Sequence, residues 1–347
     1  MKSKMLAAVL YGKEDLRVEP VGVPRIGPSE VLVKVQVALT CGTDLKVFRR
    51  GYHARMIMPP AVLGHELAGD IVEVGSEVRN FQVGQRVVAA NSAPCQNCRF
   101  CARGRENLCE HLLFNNGAYA EYIRIPGPIV RQNLHEIPAH IRYQDAALIE
   151  PLACVIRGLD ETGVEMGDTV AVIGLGAIGL MFVRLAKIRG ARVIAVGRRR
   201  SQLDHAASAG ADELVLADPG SDIVETVRRL TGQGRGADAA IEAVGSTETW
   251  QWAVRMVRSG GSVNLFGGCP AGSEISLDAS LLHYSEITLR SSFHHTPAHI
   301  CRALESIARG EIRAADFITD EAPLSGLAGV LREMMSRNGR LKTAILP

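Results

Sequence analysis

The chain has 347 residues, a formal net charge of +2 and 47% hydrophobic residues. This length exceeds what one ordinary hydrophobic core supports, so we expect two domains. The near-neutral charge gives no electrostatic reason to expect a nucleic acid or a membrane surface as a partner. The N-terminal apolar run is too short for a signal peptide, and the longest apolar run, Val170 to Val183, is interrupted by glycines. We therefore predict a cytoplasmic protein without a membrane span.

The first 125 residues have the pattern of short strands separated by turns. Examples are Glu30 to Leu39, Leu67 to Val74 and Tyr119 to Ile125. Valine and isoleucine are frequent in these runs, while glycine and proline separate them. The pattern predicts a β-rich, barrel-like domain.

From Gly167 onwards, apolar strand-like runs alternate with helical stretches. The runs are TVAVI, RVIAV, ELVL, DAAIEAV and SVNLF, and helices are expected up to Arg189 and near Gln202 to Ala209. This alternation predicts a parallel, doubly wound sheet, which makes the fold class α/β. The tail from about Ser291 is expected to be mostly helical and to end in a strand-like segment, LKTAILP.

Four of the eight cysteines lie close together in CQNCRFCARGRENLC. The spacing is C-x2-C-x2-C-x7-C, formed by Cys95, Cys98, Cys101 and Cys109. Four thiolates satisfy the tetrahedral preference of zinc without an open position, so we predict a structural zinc site. An iron–sulfur cluster, disulfides and free thiols are the alternatives. The bacterial ferredoxin pattern ends with a three-residue gap and a proline, and this sequence does not.

A second set of polar residues is scattered over the first half of the chain. Cys41 and Thr43 lie in LTCGTD, His65 and Glu66 in VLGHELAGD, and Glu150 in ALIEPLACV. Each has an ordinary structural interpretation when it is taken singly. A lone cysteine is usually a small buried hydrophobic residue, and a glutamate before a proline often only ends an element.

Together these motifs resemble the zinc-dependent medium-chain alcohol dehydrogenases. The resemblance covers nearly the whole chain, and the cysteine lobe matches the structural-zinc lobe of that family. Its signature here is Gly64, His65, Glu66, Gly69, Gly75 and Val78, with the polyol and threonine dehydrogenase branch indicated by CGTD at 41–44 and Glu-Pro at 150–151. The resemblance implies a GroES-like zinc catalytic domain of residues 1–150 and 290–347. A Rossmann dinucleotide-binding domain would then occupy residues 151–289.

The resemblance also implies roles for the scattered polar residues. Cys41 and His65 would be ligands of a catalytic zinc, and either Glu66 or Glu150 would complete the protein shell. Zinc with an open position can bind the substrate oxygen as a Lewis acid. The hydroxyl of Thr43 would receive the alcohol proton. Many relatives carry a histidine three residues after this threonine, where this chain has Lys46. Lys46, His53 or water would then continue the relay, unless Lys46 is only a solvated surface lysine.

The segment VIGLGAIGL contains the glycine pattern of a dinucleotide-binding turn. Gly174, Gly176 and Gly179 follow a predicted strand and open a predicted helix. The first glycine allows the tight turn, the second permits close approach of a pyrophosphate, and the third lets the helix pack on the strand. A purely structural turn is the alternative. By resemblance, the segments EAVGS and NLFGG would lie beside the nicotinamide; they contain Gly245, Phe266 and Gly267.

The end of the second predicted strand lacks the acidic residue that usually holds the ribose of NAD. Gly197 stands there and is followed by Arg198, Arg199 and Arg200. A guanidinium can bind a phosphate through two parallel hydrogen bonds, so NADP(H) is the predicted cofactor. Asp204 lies too far into the next predicted helix to replace the missing carboxylate. The alternative is three solvated arginines at a helix start.

These observations predict an enzyme with two zinc ions per chain and a nicotinamide cofactor. The expected substrate is a secondary alcohol on a polyol, sugar or cyclitol, or the corresponding ketone. An amino alcohol such as threonine is the alternative substrate. A zinc-free reductase or a non-catalytic relative on the same fold is a further possibility. Resemblance to the family favours a homodimer or homotetramer, with a small molecule rather than a nucleic acid as the other partner.

Overall fold

The computed structural model describes residues 3–53, 56–336 and 340–347. They form two compact units. The first, here the split unit, comprises Met1–Ala153 and His295–Pro347, and the second, the central unit, comprises Cys154–His294. Among the described residues, no helix has both the length and the apolar character needed to cross a membrane.

The split unit is rich in β-structure. Its strands, numbered along the whole chain, are β1 (Lys4–Gly12), β2 (Asp15–Gly22), β3 (Val31–Leu39), β4 (Ala61–Val62), β5 (Glu66–Val74), β6 (Arg86–Ala89), β7 (Ser92–Ala93), β8 (Leu113–Phe114), β9 (Tyr122–Ile125), β10 (Leu134–Glu136), β17 (Ile318–Pro323) and β18 (Lys342–Leu346). The largest sheet has the order β10-β6-β5-β3-β18-β17, and β9 also pairs with β3. The valine-rich strand β3 is buried along most of its length because it lies inside this sheet.

Short helices accompany these strands. They are α1 (Gly42–Arg50), α2 (Gly127–Gln132), α3 (Tyr143–Ala146), α4 (Ile149–Thr162), α10 (Pro297–Ala308) and α11 (Leu327–Met335). Helix α4 begins in the split unit and continues into the central unit. Cys41 is the N-cap of helix α1. Its thiol accepts a hydrogen bond from Thr43 N, and the Asp44 carboxylate accepts one from Cys41 N. This reciprocal cap satisfies backbone donors at the helix start.

Two segments of the split unit differ from the expectation. The strand expected over Tyr119 to Ile125 begins only at Tyr122, and Tyr119 is fully buried instead. The tail contains the expected helices α10 and α11, but β17 was not expected. Strand β17 has the sequence ITDEAP, and it forms by parallel pairing with β18, which local composition does not reveal.

The central unit is a parallel sheet with intervening helices, as expected for the doubly wound class. Its strands are β11 (Thr169–Ile173), β12 (Arg192–Gly197), β13 (Glu213–Leu216), β14 (Ala237–Glu242), β15 (Val257–Leu265) and β16 (Thr288–Ser291). Its helices are α5 (Ala177–Ile188), α6 (Arg200–Ser208), α7 (Ile223–Arg229), α8 (Thr247–Met256) and α9 (Ala279–Tyr284). Strands such as β11 are buried along nearly their whole length, which explains their uninterrupted apolar sequences.

The strand order of this sheet is β13-β12-β11-β14-β15-β16, and all of its pairings are parallel. The chain moves outward from β11 to β12 and β13, then returns to the other side of β11 with β14. The carboxyl ends of β11 and β14 therefore flank the switch point, which is where ligands bind in open α/β sheets.

Candidate active site and metal centres

Strand pairing brings the predicted zinc ligands together in the split unit. Leu39 of β3 pairs with Glu66 of β5, so Cys41, just beyond β3, lies near His65, just before Glu66. Ligand atoms of Cys41, His65 and Glu66 all lie within 4.8 Å of one another. His65 and Glu66 are buried, while Cys41 remains partly accessible.

Asp44 holds two members of this cluster. Its Oδ1 lies 3.1 Å from His65 Nδ1, and its Oδ2 accepts hydrogen bonds from Cys41 N at 3.1 Å and from the Tyr119 hydroxyl at 2.7 Å. Because Nδ1 of His65 faces Asp44, Nε2 is the nitrogen that can bind a metal. Burial opposes protonation, yet the carboxylate of Asp44 and the thiol of Cys41 raise the pKa of His65. The site therefore attracts positive charge.

Lys342 provides a buried cation on the other side of the cluster. Its ammonium donates to both carboxylate oxygens of Glu66, at 2.8 and 2.6 Å, and to the carbonyl of Thr40 at 3.0 Å. Burial opposes the charged form, but the nearby Glu66 carboxylate raises the pKa of Lys342 and keeps it protonated. Sequence reasoning missed Asp44, Tyr119 and Lys342 because their roles depend on contacts between distant segments.

Glu150 lies near the cluster at the start of α4. It is buried, and burial raises the pKa of Glu150 to about 7, against the opposing effect of His65. His295 lies beside it, with Nε2 at 4.0 Å from Glu150 Oε1, 3.4 Å from Asn91 Oδ1 and 3.5 Å from Ser92 Oγ. Glu150, His295, Asn91 and Ser92 therefore form a group of buried polar side chains. No sequence motif singled out Asn91 or His295.

The residues expected to relay a proton lie on helix α1 and in the loop that follows. Thr43 is partly buried in the first turn of the helix, and its backbone N donates to Cys41 Sγ at 3.4 Å. Lys46 is exposed on the same helix. His53 is partly buried, and its backbone N donates to the carbonyl of Ile57. Thr43 is therefore next to Cys41, and the relay through Thr43, Lys46 and His53 stays a prediction.

The donor set of the cluster fits a catalytic zinc. One thiolate, one imidazole and one carboxylate leave a fourth tetrahedral position for water or substrate. Asp44 supplies the carboxylate contact that metal-binding histidines commonly have on their other nitrogen. The three donor groups and the Asp44 contact are therefore suited to binding a zinc ion.

The four lobe cysteines also converge. Their sulfur atoms lie within 4.8 Å of one another, and backbone N atoms of Cys95 and His111 donate to Cys109 Sγ at 3.2 and 3.4 Å. The separations of 3.5 Å from Cys98 to Cys101 and 3.9 Å from Cys98 to Cys109 exceed a disulfide bond of about 2.0 Å. Backbone hydrogen bonds lower the pKa of Cys98 to about 6. This geometry fits a closed four-thiolate metal site.

The glycine turn of the central unit connects β11 to α5. Gly174 has a φ of +95°, and a Cβ there would lie 2.4 Å from Val244 Cγ2. A Cβ on Gly179 would lie 1.7 Å from the carbonyl of Gly174, so the helix can approach the strand only without it. A Cβ on Gly176, by contrast, would face open space at the start of α5, and no side chain caps that helix. The open helix start fits a bound pyrophosphate.

The segment that follows β14 lies against this turn through Val244, and the segment that follows β15 lies against Gly245. Buried Glu242 ends β14 and accepts hydrogen bonds from Gly245 N at 2.9 Å and Thr249 Oγ1 at 2.7 Å. Its backbone carbonyl accepts from Phe266 N at 3.0 Å and Gly267 N at 2.8 Å. Gly245, Phe266 and Gly267 are therefore held as one group at the switch point. Glu242 was not singled out from the sequence, although an acidic residue at the end of an apolar strand is a usable signal.

Gly197 and the three arginines lie at the end of β12. Gly197 is buried, and a Cβ there would lie 2.8 Å from Leu175 Cδ1. Arg198 is exposed, Arg199 is the N-cap of α6, and Arg200 is the first residue of that helix. Arg198 forms an ion pair of 2.6 Å with Glu248 in the first turn of α8. A carboxylate thus does reach this region, but from a segment fifty residues further along the chain.

Comparisons with known proteins match both parts of the chain. The family model described as the alcohol dehydrogenase GroES-like domain matches residues 27–139, and the zinc-binding dehydrogenase model matches residues 177–309. Sorbitol dehydrogenase of Bacillus subtilis (strain 168) is 32% identical over 99% of this chain and 97% of its own length. L-threonine 3-dehydrogenase of Chelativorans sp. (strain BNC1) is 33% identical over 84% of this chain and 86% of its own length.

A solved structure shares the same fold. It is that of a zinc-binding dehydrogenase from Sinorhizobium meliloti 1021 bound to NADP. The two chains are 32% identical, with a TM-score of 0.90 and 100% coverage of both.

Proposed function

Because the chain belongs to the zinc-dependent medium-chain alcohol dehydrogenase family, a class of enzymes, we propose that it interconverts a secondary alcohol of a polyol, sugar or cyclitol and the matching ketone. The observation that carries this proposal is the cluster of Cys41, His65 and Glu66 within 4.8 Å. These donors suit a zinc site with one open position.

We propose that Cys41, His65 and Glu66 are the protein ligands and that Glu150 lies beside the open position. When bound, zinc would supply a Lewis acid for the alcohol oxygen, and a nicotinamide cofactor would supply the hydride acceptor or donor. Asp44 keeps the His65 ring turned so that Nε2 faces the metal position. Lys342 balances the charge of Glu66. Thr43 takes the alcohol proton through its hydroxyl and passes it outward by Lys46, His53 or water.

The second metal site is proposed to be a structural zinc bound by the four lobe cysteines. Their converging sulfur atoms support it. With the catalytic site, this makes two zinc ions per chain. The number of zinc ions in the purified protein tests this proposal. One zinc per chain, retained in a Cys41→Ser variant, would favour a reductase without zinc at the catalytic site.

The cofactor proposed is NADP(H) rather than NAD(H). The end of β12 carries Gly197 and no carboxylate, and Arg198 to Arg200 follow at the start of α6. The relative from Sinorhizobium meliloti holds NADP in its crystal structure. The ratio of kcat/KM for NADP to that for NAD should exceed one in the native protein and fall in Gly197→Asp/Arg198→Ala. A native preference for NAD would contradict the proposal.

A panel of substrates tests the proposed chemistry. Polyols, cyclitols, sugar acids and L-threonine should be offered with both cofactors, and a polyol-type secondary alcohol should give the highest kcat/KM. His65→Ala should abolish this turnover. The similarity to an L-threonine 3-dehydrogenase supports the alternative substrate. Turnover of L-threonine well above that of every polyol would establish the alternative.

A further inference from the structure

The exposed ion pair between Arg198 and Glu248 joins two helix starts of the central unit. Arg198 Nη2 lies 2.6 Å from Glu248 Oε2, and both side chains are about half exposed. Arg198 precedes α6, and Glu248 lies in the first turn of α8. The contact therefore connects the end of β12, where the cofactor's ribose is expected, with the helix that follows the EAVGS turn.

The two charges have different local settings. Glu248 lies where the helix dipole favours an acidic side chain, and Ser246 caps the same helix through Thr249 N. Arg198, Arg199 and Arg200 cluster at the N-terminal end of α6, where the dipole disfavours cations. The N-terminus of α6 is therefore suited to an anion, and in this structure the Glu248 carboxylate is the anion that contacts Arg198.

We propose that Glu248 is a cofactor-specificity residue that competes with the 2′-phosphate of NADP for the Arg198 guanidinium. The inference rests on the proposed use of NADP. A phosphate that binds Nη2 of Arg198 replaces the Glu248 carboxylate, and one that binds the other N–H groups of Arg198 lies close to the negative charge of that carboxylate. NAD has a hydroxyl at this position, so its binding displaces nothing. Glu248 therefore reduces the ratio of NADP affinity to NAD affinity, which the three arginines raise.

The size of the effect follows from the exposure of the pair. Exposed ion pairs contribute about 0–1 kcal/mol, and a free energy of about 1 kcal/mol corresponds to roughly a fivefold change in a dissociation constant. Replacing Glu248 with glutamine keeps the length of the side chain and removes its charge. We therefore expect Glu248→Gln to tighten the binding of a 2′-phosphate by up to about fivefold.

The test uses 2′,5′-ADP and 5′-AMP as probes of the adenosine half of the cofactor. Both are titrated calorimetrically into the full chain, so the result does not depend on catalysis. Glu248→Gln should bind 2′,5′-ADP about two- to fivefold more tightly and 5′-AMP within twofold of the native value. The matched control is Glu225→Gln, which removes the carboxylate of another exposed pair, with Arg229 at 2.8 Å in helix α7. It should change neither dissociation constant.

A second pair of variants shows whether Arg198 mediates the effect. In the Arg198→Ala background, adding Glu248→Gln should change 2′,5′-ADP binding by less than twofold. An unchanged constant for 2′,5′-ADP in Glu248→Gln, equal tightening of 5′-AMP, or a full effect without Arg198 would each overturn the inference. Tighter binding of 5′-AMP than of 2′,5′-ADP by the native protein would contradict the proposed use of NADP. The role of Glu248 would still be decided separately, by the change in the 2′,5′-ADP dissociation constant in Glu248→Gln.

Discussion

Asp44 is a single buried carboxylate that contacts three parts of the candidate metal site. It accepts from Cys41 N and the Tyr119 hydroxyl and faces Nδ1 of His65. Two of these partners, Cys41 and His65, are proposed ligands, and Cys41 also caps helix α1. The orientation of the ligands therefore depends on a residue that would not touch the metal itself.

Removing the Asp44 carboxylate should weaken metal binding. Loss of such an outer contact typically costs about 10–100-fold in metal affinity, so Asp44→Ala should show a weaker zinc constant within that range in competition with a chelator. Asp70→Ala is the control, since Asp70 bonds Tyr143 and Gln36 on another part of the split unit. Native zinc affinity in Asp44→Ala would show that Asp44 does not position His65.

Lys342 and Glu66 form a buried pair whose two charges depend on each other. Lys342→Met should leave the Glu66 carboxylate without its buried cation, and breaking such pairs costs about 3–5 kcal/mol. Urea unfolding of metal-free protein should show this loss. The double variant Lys342→Met/Glu66→Gln should recover much of it, because the uncompensated charge is gone. Equal stability of the single variant and the native protein would contradict the pairing.

At the scale of elements, the cysteine lobe has little regular structure of its own. It consists of turns and the short 3-10 helices Cys101–Arg103 and Glu106–Leu108, and its sulfur atoms form a cluster with Phe100 and Leu112 beside them. A segment with so few apolar contacts depends on a cross-link or a metal for its shape.

Cys98→Ser should therefore act mainly on stability. We expect a lower melting temperature and one zinc fewer per chain, because a closed thiolate site contributes folding free energy. Cys41→Ser should lose turnover with a smaller change in melting, since its site is proposed to serve catalysis. If Cys98→Ser melted normally and lost only activity, the two metal roles would have to be exchanged.

At the scale of the whole molecule, the two units differ in how the chain builds them. The central unit is one continuous segment, Cys154–His294, with its own buried core that includes Ile173, Val196 and Val263. The split unit needs both ends of the chain, because β18 pairs with β3 and Lys342 bonds Glu66. The split unit can therefore be completed only after the central unit has been synthesised, because its last strands follow the central unit in the chain.

Expression of the pieces tests this difference. The segment 154–294 should unfold cooperatively and bind 2′,5′-ADP, since its sheet and core lie within it. The segment 1–153 should not fold stably alone, because the inner strand β3 would lack β18 as its neighbour. Cooperative unfolding of segment 1–153 with native zinc affinity would show that the C-terminal strands are dispensable.

Sequence patterns were sufficient to predict the alternation of strands and helices in the central unit, the glycine turn and the four-cysteine lobe. These depend on local features: apolar runs such as TVAVI and RVIAV, fixed glycine positions, and cysteines a few residues apart. The sequence also indicated Cys41, His65 and Glu66, since their motifs resemble those of a known family. Local periodicity and spacing are sufficient where the interacting residues are neighbours in the chain.

The groups that surround those residues could be identified only in the folded chain. The partner of Glu66 comes from Lys342, the partner of His65 from Asp44, and the partner of Arg198 from Glu248. Strand β17 likewise exists because β18 lies beside it, against the weak strand preference of its own sequence. The partner of a charged side chain or of a strand edge comes from whichever segment the fold places beside it. The pattern of residues within one segment therefore does not identify that partner.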